Sequence, residues 1–91
     1  MVTIVKRRGK NEPFDEKKVY NSVYSSCRDC DLNEAESKKI AEHTVDEVKK
    51  FFRDKKEINS TELFGFVVQN LAKHHEAVAF MYQTHREIPD V

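Results

Sequence analysis

The stretch from residue 5 to residue 19 constrains the fold of this chain more than any other part of it. An apolar segment at residues 2–5 runs into a basic cluster, and Gly9 can then supply the positive φ that a two-residue hairpin turn needs. Pro13 interrupts regular structure, and Asp15 is suited to cap a helix. Cationic side chains, a turn and a helix N-terminus are therefore expected close together, which is a common arrangement for holding an anion such as phosphate.

Four amphipathic helices are predicted after this hairpin. The first is expected from about Asp15 to Arg28, and the second from an Asn33 cap to about Arg53. Residues 57–59 are predicted to add a short third strand, and Asn59 or Ser60 then caps the third helix. The residues expected to face inward are Val19, Tyr20, Val23, Tyr24 and Cys27, then Ile40, Ala41, Thr44, Val45, Val48, Phe51 and Phe52, then Leu63, Phe64, Val67, Val68 and Leu71, and, after a break at His74 and His75, Ala77, Val78, Met81, Tyr82 and His85.

The expected architecture is α+β, with a small N-terminal hairpin or three-stranded sheet covering a four-helix bundle. Short amphipathic helices are not stable alone, so their apolar stripes must pack on one another. We expect a single domain over residues 1–91, with the hairpin in 1–14, the helical part in 15–87 and a tail at 88–91.

The charge balance restricts the kinds of partner. Charged residues make up 35% of the chain and cancel to a formal net charge of zero. This balance argues against nucleic-acid or membrane binding driven by the whole surface. No apolar run reaches the roughly 20 residues that cross a bilayer. The N-terminus lacks a signal-peptide pattern, and two cysteines in such a chain suggest a reducing, cytoplasmic setting.

The opening motif resembles that of a known family. Lys6-Arg7-x-Gly9, followed by Glu12-Pro13-Phe14-Asp15-x-x-Lys18, is similar to the start of the ATP-cone. The resemblance extends to residues 58–63, to residues 78–80 and to Arg86. The ATP-cone is the adenine-nucleotide-binding regulatory module at the N-terminus of many ribonucleotide reductases, and it also occurs in the bacterial repressor of reductase genes.

The resemblance implies a ligand and a set of site residues. The ligand would be ATP or dATP, bound with Mg²⁺. Lys6, Arg7 and Lys18 would meet the phosphates, with Arg86 from the last helix, and Glu12, Phe14 and Asp15 would surround the adenine. Val19, Ser60 and Phe64 complete the expected set. Phe64 stands where some reductase cones have a ribose-contacting histidine, and Phe cannot make that hydrogen bond.

Each of these residues also has a structural interpretation. The basic cluster can be solvated surface charge, Asp15 can be an N-cap only, and Arg86 can lie on the surface. Ser60 is both a candidate cap and a candidate ligand. Cys27-Arg28-Asp29-Cys30 is a lone CxxC pair, whereas a structural zinc site needs four ligands, so we expect Cys27 in the core and Cys30 at a helix end.

Motifs of catalysis are missing from the sequence. With Gly9 and Gly65 as the only glycines, neither a P-loop nor a GxGxxG motif is present. We therefore expect a sensor of adenine nucleotide rather than an enzyme, acting on a protein partner or through homo-oligomerisation. Two alternatives remain open. One is a nucleic-acid-binding regulator, which the neutral charge disfavours. The other is a degenerate cone that serves as a protein-interaction module without nucleotide.

Overall fold

The computed structural model describes residues 3–5, 9 and 11–85. Within them the elements follow the order β1 (Thr3–Val5), β2 (Asn11–Pro13), α1 (Glu16–Asp29), α2 (Glu34–Phe51), β3 (Glu57–Asn59), α3 (Ser60–His74) and α4 (Glu76–His85). The architecture is a three-stranded mixed sheet with four helices, so the predicted α+β fold is confirmed.

The sheet is built around β1, which lies between the other two strands. β2 pairs with β1 in the antiparallel direction, and Ile4 stands opposite Glu12. β3 pairs with β1 in parallel, and Ile4 stands opposite Ile58. Gly9 has a φ of 78°, the left-handed conformation expected of it in the hairpin connection. The third strand predicted at residues 57–59 is therefore confirmed, and it leads directly into α3.

Side-chain caps determine where three helices begin. Asp15 Oδ1 accepts a hydrogen bond from the Lys17 amide at 3.0 Å, and Asn33 Oδ1 accepts one from the Glu36 amide at 2.8 Å. Asn59 Oδ1 accepts from the Thr61 amide at 2.8 Å. Each cap satisfies an amide that has no partner within its helix. Asn59 is thus the cap of α3, and the prediction that Ser60 caps it is wrong, because Ser60 is already the first helical residue.

The core lies where the sheet and all four helices meet. Ile4 and Ile58 cover it from the sheet, and α1 packs against both α2 and α4. The helices contribute the following buried apolar residues: Val19, Val23, Cys27, Ala41, Val45, Val48, Phe52, Val67, Leu71, Val78, Ala79 and Tyr82. Most of the predicted inward faces are represented among them. None of the helices in the described ranges combines the length and the apolar character needed to cross a membrane.

Two predicted inward positions are wrong. Phe51 is 55% exposed, because it and Phe52 are adjacent at the end of α2 and only Phe52 points into the core. Ala77 is exposed, whereas Ala79 is buried. Residues 77–81 are all apolar, so the sequence of α4 shows no clear helical period. Which of its residues are buried therefore depends on packing against the other helices, and these are Val78, Ala79 and Tyr82. The side chain of His85, also predicted to face inward, lies outside the described residues.

Candidate functional site

A cavity of about 70 Å³, partly open to solvent, lies between the hairpin, α1, α3 and α4. We call it the hairpin cavity. This volume is below the roughly 300–1,000 Å³ of small-molecule sites, so a ligand of that size would extend out of the cavity toward solvent. Its walls come from β1, β2, the start of α1, the start of α3 and the middle of α4. The residues that line it are Ile4, Glu12, Pro13, Phe14, Asp15, Lys18, Val19, Ser22, Ser60, Leu63, Phe64 and Tyr82.

Seven of the ten predicted site residues meet in this cavity. They come from two parts of the chain more than forty residues apart and are Glu12, Phe14, Asp15, Lys18, Val19, Ser60 and Phe64. Lys6, Arg7 and Arg86 lie outside the described residues. Of the four residues predicted to contact phosphates, Lys18 is therefore the one that lies among the described residues.

The N-termini of two helices face the cavity. Asp15 caps α1, Ser60 opens α3, and both residues line the cavity wall. Helix N-termini carry partial positive charge and attract anions. Lys18 adds a full positive charge on the first turn of α1. The cavity therefore combines one cation and two helix N-termini with the carboxylates of Glu12 and Asp15 and with an apolar wall.

The charged side chains of the site are close to one another. Lys18 Nζ lies 3.7 Å from Glu12 Oε1, and the Lys18 side chain is 67% exposed. An ion pair this exposed contributes little to stability, because water screens it. Lys18 can therefore turn toward a ligand anion at little cost to the fold.

The apolar wall is aromatic. The rings of Phe64 and Tyr82 stack with their centroids 5.6 Å apart and an interplanar angle of 24°. Tyr82 is almost fully buried, so it belongs to the core and to the cavity wall together. Phe14 lines the cavity from the end of the hairpin. Flat aromatic surfaces of this kind suit the faces of a nucleobase or a sugar.

The Ser60 hydroxyl is a buried polar group at the wall of the hairpin cavity. Ser60 is 9% exposed and lines the cavity. Its Oγ has no hydrogen-bond partner among the residues that the structure describes. Buried hydroxyls normally have a partner, because an unpaired one costs about 1–3 kcal/mol. This atom therefore marks a place where a ligand could supply the missing hydrogen bond.

The sequence predictions omitted several residues of the cavity wall. Ser22 follows Lys18 by one helical turn and Leu63 follows Ser60 by nearly one turn, so helical spacing could have identified both. Ile4 stands opposite Glu12 in the hairpin register. Tyr82 comes from α4, and no local pattern in the sequence connects it with the hairpin.

The two cysteines of the CxxC pair lie in positions that suit a structural role. Cys27 is fully buried, and Cys30 follows the end of α1, where its Sγ lies 3.4 Å from the Ala77 carbonyl oxygen. Burial, followed by the nearby charges of Cys30 and Glu36, raises the pKa of the Cys27 thiol from 9.0 to about 11. Burial also raises the pKa of the Cys30 thiol. Raised pKa values keep both thiols protonated and poorly reactive at neutral pH.

Metal binding has no support in the part of the chain described. Over residues 3–5, 9 and 11–85, no three His, Cys, Asp or Glu side chains are grouped so that they could hold a metal ion.

A comparison with protein families identifies the domain. The family model described as "ATP cone domain" matches residues 2–91. The chain belongs to the ATP-cone family. ATP-cones are nucleotide-binding regulatory domains that bind ATP or dATP and are not themselves catalytic. A search of curated proteins finds no match to this ATP-cone.

Proposed function

We propose that this ATP-cone binds ATP or dATP in the hairpin cavity and acts as an allosteric regulator. Through the bound nucleotide it acts on a protein partner or on its own association, in the control of ribonucleotide reductase activity or expression. The proposal rests on the family, on the composition of the cavity and on the buried hydroxyl of Ser60. The function is sensing, and the nucleotide is not consumed.

The polar residues of the cavity suit the two ends of an adenine nucleotide. The Glu12 and Asp15 carboxylates can accept hydrogen bonds from the adenine 6-amino group, and a guanine carries an acceptor oxygen at that position. Lys18 and the two helix N-termini suit the phosphates. Lys6, Arg7 and Arg86 are proposed as further phosphate contacts. Mg²⁺ would enter with the phosphates, since it is usually bound through one or two carboxylates together with phosphate oxygens.

The observation that carries the proposal is the Ser60 hydroxyl. Its oxygen is buried, lines the cavity and has no hydrogen-bond partner among the described residues. A ligand with sugar or phosphate oxygens can satisfy it, and this gain is available only when the site is filled. The aromatic wall of Phe64 and Tyr82 offers a flat apolar surface beside it.

Thermal unfolding with Mg-ATP, Mg-dATP and Mg-GTP tests the proposal. A nucleotide at 100 times its Kd stabilises the folded state by about 2.7 kcal/mol. For a domain of this size, that corresponds to a rise in Tm of about 10 °C or more. We expect this rise with both adenine nucleotides and a much smaller one with GTP. No change in Tm at millimolar ATP and dATP would refute the proposal and would favour a cone that serves only as a protein-interaction module.

A matched pair of lysines gives the control. Lys18 lines the hairpin cavity, whereas its neighbour Lys17 does not. Lys18→Ala should weaken ATP binding about ten-fold or more, because a charge-assisted hydrogen bond contributes about 1.5–3 kcal/mol. Lys17→Ala removes the same charge from the same turn and should change the Kd by less than about two-fold. Equal losses in the two variants would mean that the ligand is held by general charge and not by this cavity.

Sedimentation of the parent protein with and without ATP then reports on self-association.

A further inference from the structure

A second cavity of about 250 Å³ lies on the other side of Phe14. Its apolar lining includes Phe14 and Ile58 from the sheet region and Val48 and Phe52 from the end of α2. Phe14 therefore lines both cavities, and its side chain is only half-buried. A displacement of the Phe14 ring away from the hairpin cavity would therefore enter the second cavity and change the space beside Phe52, which lines the same cavity.

Phe52 connects the second cavity to the protein surface. Its ring centroid lies 4.9 Å from that of Phe51 and 5.6 Å from that of Phe66. Phe51 and Phe66 in turn stack at 4.5 Å with an interplanar angle of 22°. We call Phe51, Phe52 and Phe66 the aromatic cluster. Phe51 is 55% exposed, so the cluster begins in the core and ends at the surface.

A second connection runs along the backbone. Ile58 of β3 lines the second cavity, and Ser60, two residues later, lines the hairpin cavity. Ser60 also opens α3, the helix that carries Phe66. A shift at Ser60 would therefore reach the aromatic cluster through a rigid element as well as through the Phe14 side chain.

We propose that filling the hairpin cavity changes the packing of the aromatic cluster through Phe14, Phe52 and the segment from Ile58 to Ser60. Nucleotide binding would then change the position of the exposed Phe51 ring at the protein surface. The inference rests on the proposed function, since it assigns an output surface to the same site. Packed contacts of this kind transmit small shifts because they have discrete arrangements rather than a continuum of them.

The sequence provides a direct way to test this coupling. The chain has no tryptophan, so Phe51→Trp introduces into the aromatic cluster a single tryptophan, whose emission can be excited selectively over that of the three tyrosines. Phe80→Trp is the matched control, because Phe80 is 69% exposed and lies on α4, a helix that carries none of the three rings of the cluster. Titration with Mg-ATP should shift the emission of the Phe51→Trp protein with a midpoint equal to the Kd measured for the same protein by calorimetric titration. The emission of the Phe80→Trp protein should stay constant.

A third substitution tests the route. Phe52→Leu, made in the Phe51→Trp protein, removes the ring that joins the second cavity to the surface without touching the hairpin cavity. We expect it to retain the ATP-induced rise in Tm and to lose most of the emission shift. If Phe52→Leu does not fold, Val48→Ile fills part of the second cavity and should have the same effect. An unchanged emission shift in a folded route variant would overturn the proposed path.

The outcomes separate this inference from the proposed function. A rise in Tm with no emission change at position 51 refutes the coupling and leaves nucleotide binding intact. Equal emission changes at positions 51 and 80 also refute it, because they indicate a response of the whole domain. No rise in Tm with the parent protein refutes the proposed function, and the coupling with it.

Discussion

Phe64 and Tyr82 stack ring on ring at the wall of the hairpin cavity, with centroids 5.6 Å apart. Phe64 lies one turn into α3, and Tyr82 contacts it from α4. The pair therefore connects α4 with the site. It presents an apolar face where a polar side chain could have formed a hydrogen bond with a ribose hydroxyl. A wall of this kind gives a physical reason to expect similar affinities for ATP and dATP.

Phe64→Ala is predicted to weaken both the fold and the site. Phe64 is partly buried, so truncation should lower the free energy of unfolding by about 1–2 kcal/mol, less than the roughly 3–5 kcal/mol of a fully buried Phe. The increase in the free energy of unfolding that ATP produces should fall as well. Phe80→Ala is the control, because a surface substitution should stay within about 0.5 kcal/mol. Urea unfolding with and without ATP measures both effects, and an unchanged ATP response would remove Phe64 from the site.

Asp15→Ala and Asn33→Ala are predicted to differ in their effect on ligand binding. Each removes the side-chain cap of a helix and should lower the free energy of unfolding by about 1 kcal/mol. Asp15 also lines the hairpin cavity, whereas Asn33 does not. Only Asp15→Ala should therefore reduce ATP affinity. Calorimetric titration of the two proteins decides the matter, and equal ATP affinities would mean that Asp15 is a cap alone.

Ser60→Ala is predicted to have opposite effects on the empty and the filled protein. Without ligand, it removes a buried hydroxyl that has no hydrogen-bond partner among the described residues, so stability should be unchanged or higher by up to about 1 kcal/mol. With ATP, the stabilisation should fall by about 0.5–1.5 kcal/mol, because the ligand loses a hydrogen bond. Ser25→Ala, at an exposed position of α1, should do neither. A clear loss of stability in ligand-free Ser60→Ala would show that the hydroxyl already has a structural role.

The raised pKa of Cys27 predicts a loss of stability at high pH. The thiol ionises near pH 9.0 at its ordinary value but only at about 11 in the folded chain, so the unfolded state releases this proton first. The corresponding stabilisation is complete below pH 9 and should decline as the pH rises to about 11. Urea midpoints at pH 8–11 measure the decline. The urea midpoint of Cys27→Ala should be lower at pH 8, because the substitution leaves a cavity in the core. This midpoint should also change less between pH 8 and pH 11. Parallel curves for the two proteins would contradict the prediction.

The sequence alone determined the features that depend on neighbouring residues. Asp15 and Asn33 were identified as caps because short polar side chains before an apolar period satisfy the first amides of a helix. The strand at residues 57–59 and the break at residues 74–75 follow from similarly local patterns. The residues of the opening motif could be assigned to a site because the family resemblance supplied their roles.

Features that depend on packing between distant elements are set by the tertiary structure. It added Tyr82 to the hairpin cavity, where Ser60 and Phe64 are expected from the family resemblance and Tyr82 is not. It also placed Phe51 outward and Phe52 inward, although the two residues are equally apolar. The physical reason is that a periodic pattern specifies which face of a helix is apolar, whereas the space left by the other helices specifies which apolar residues are buried.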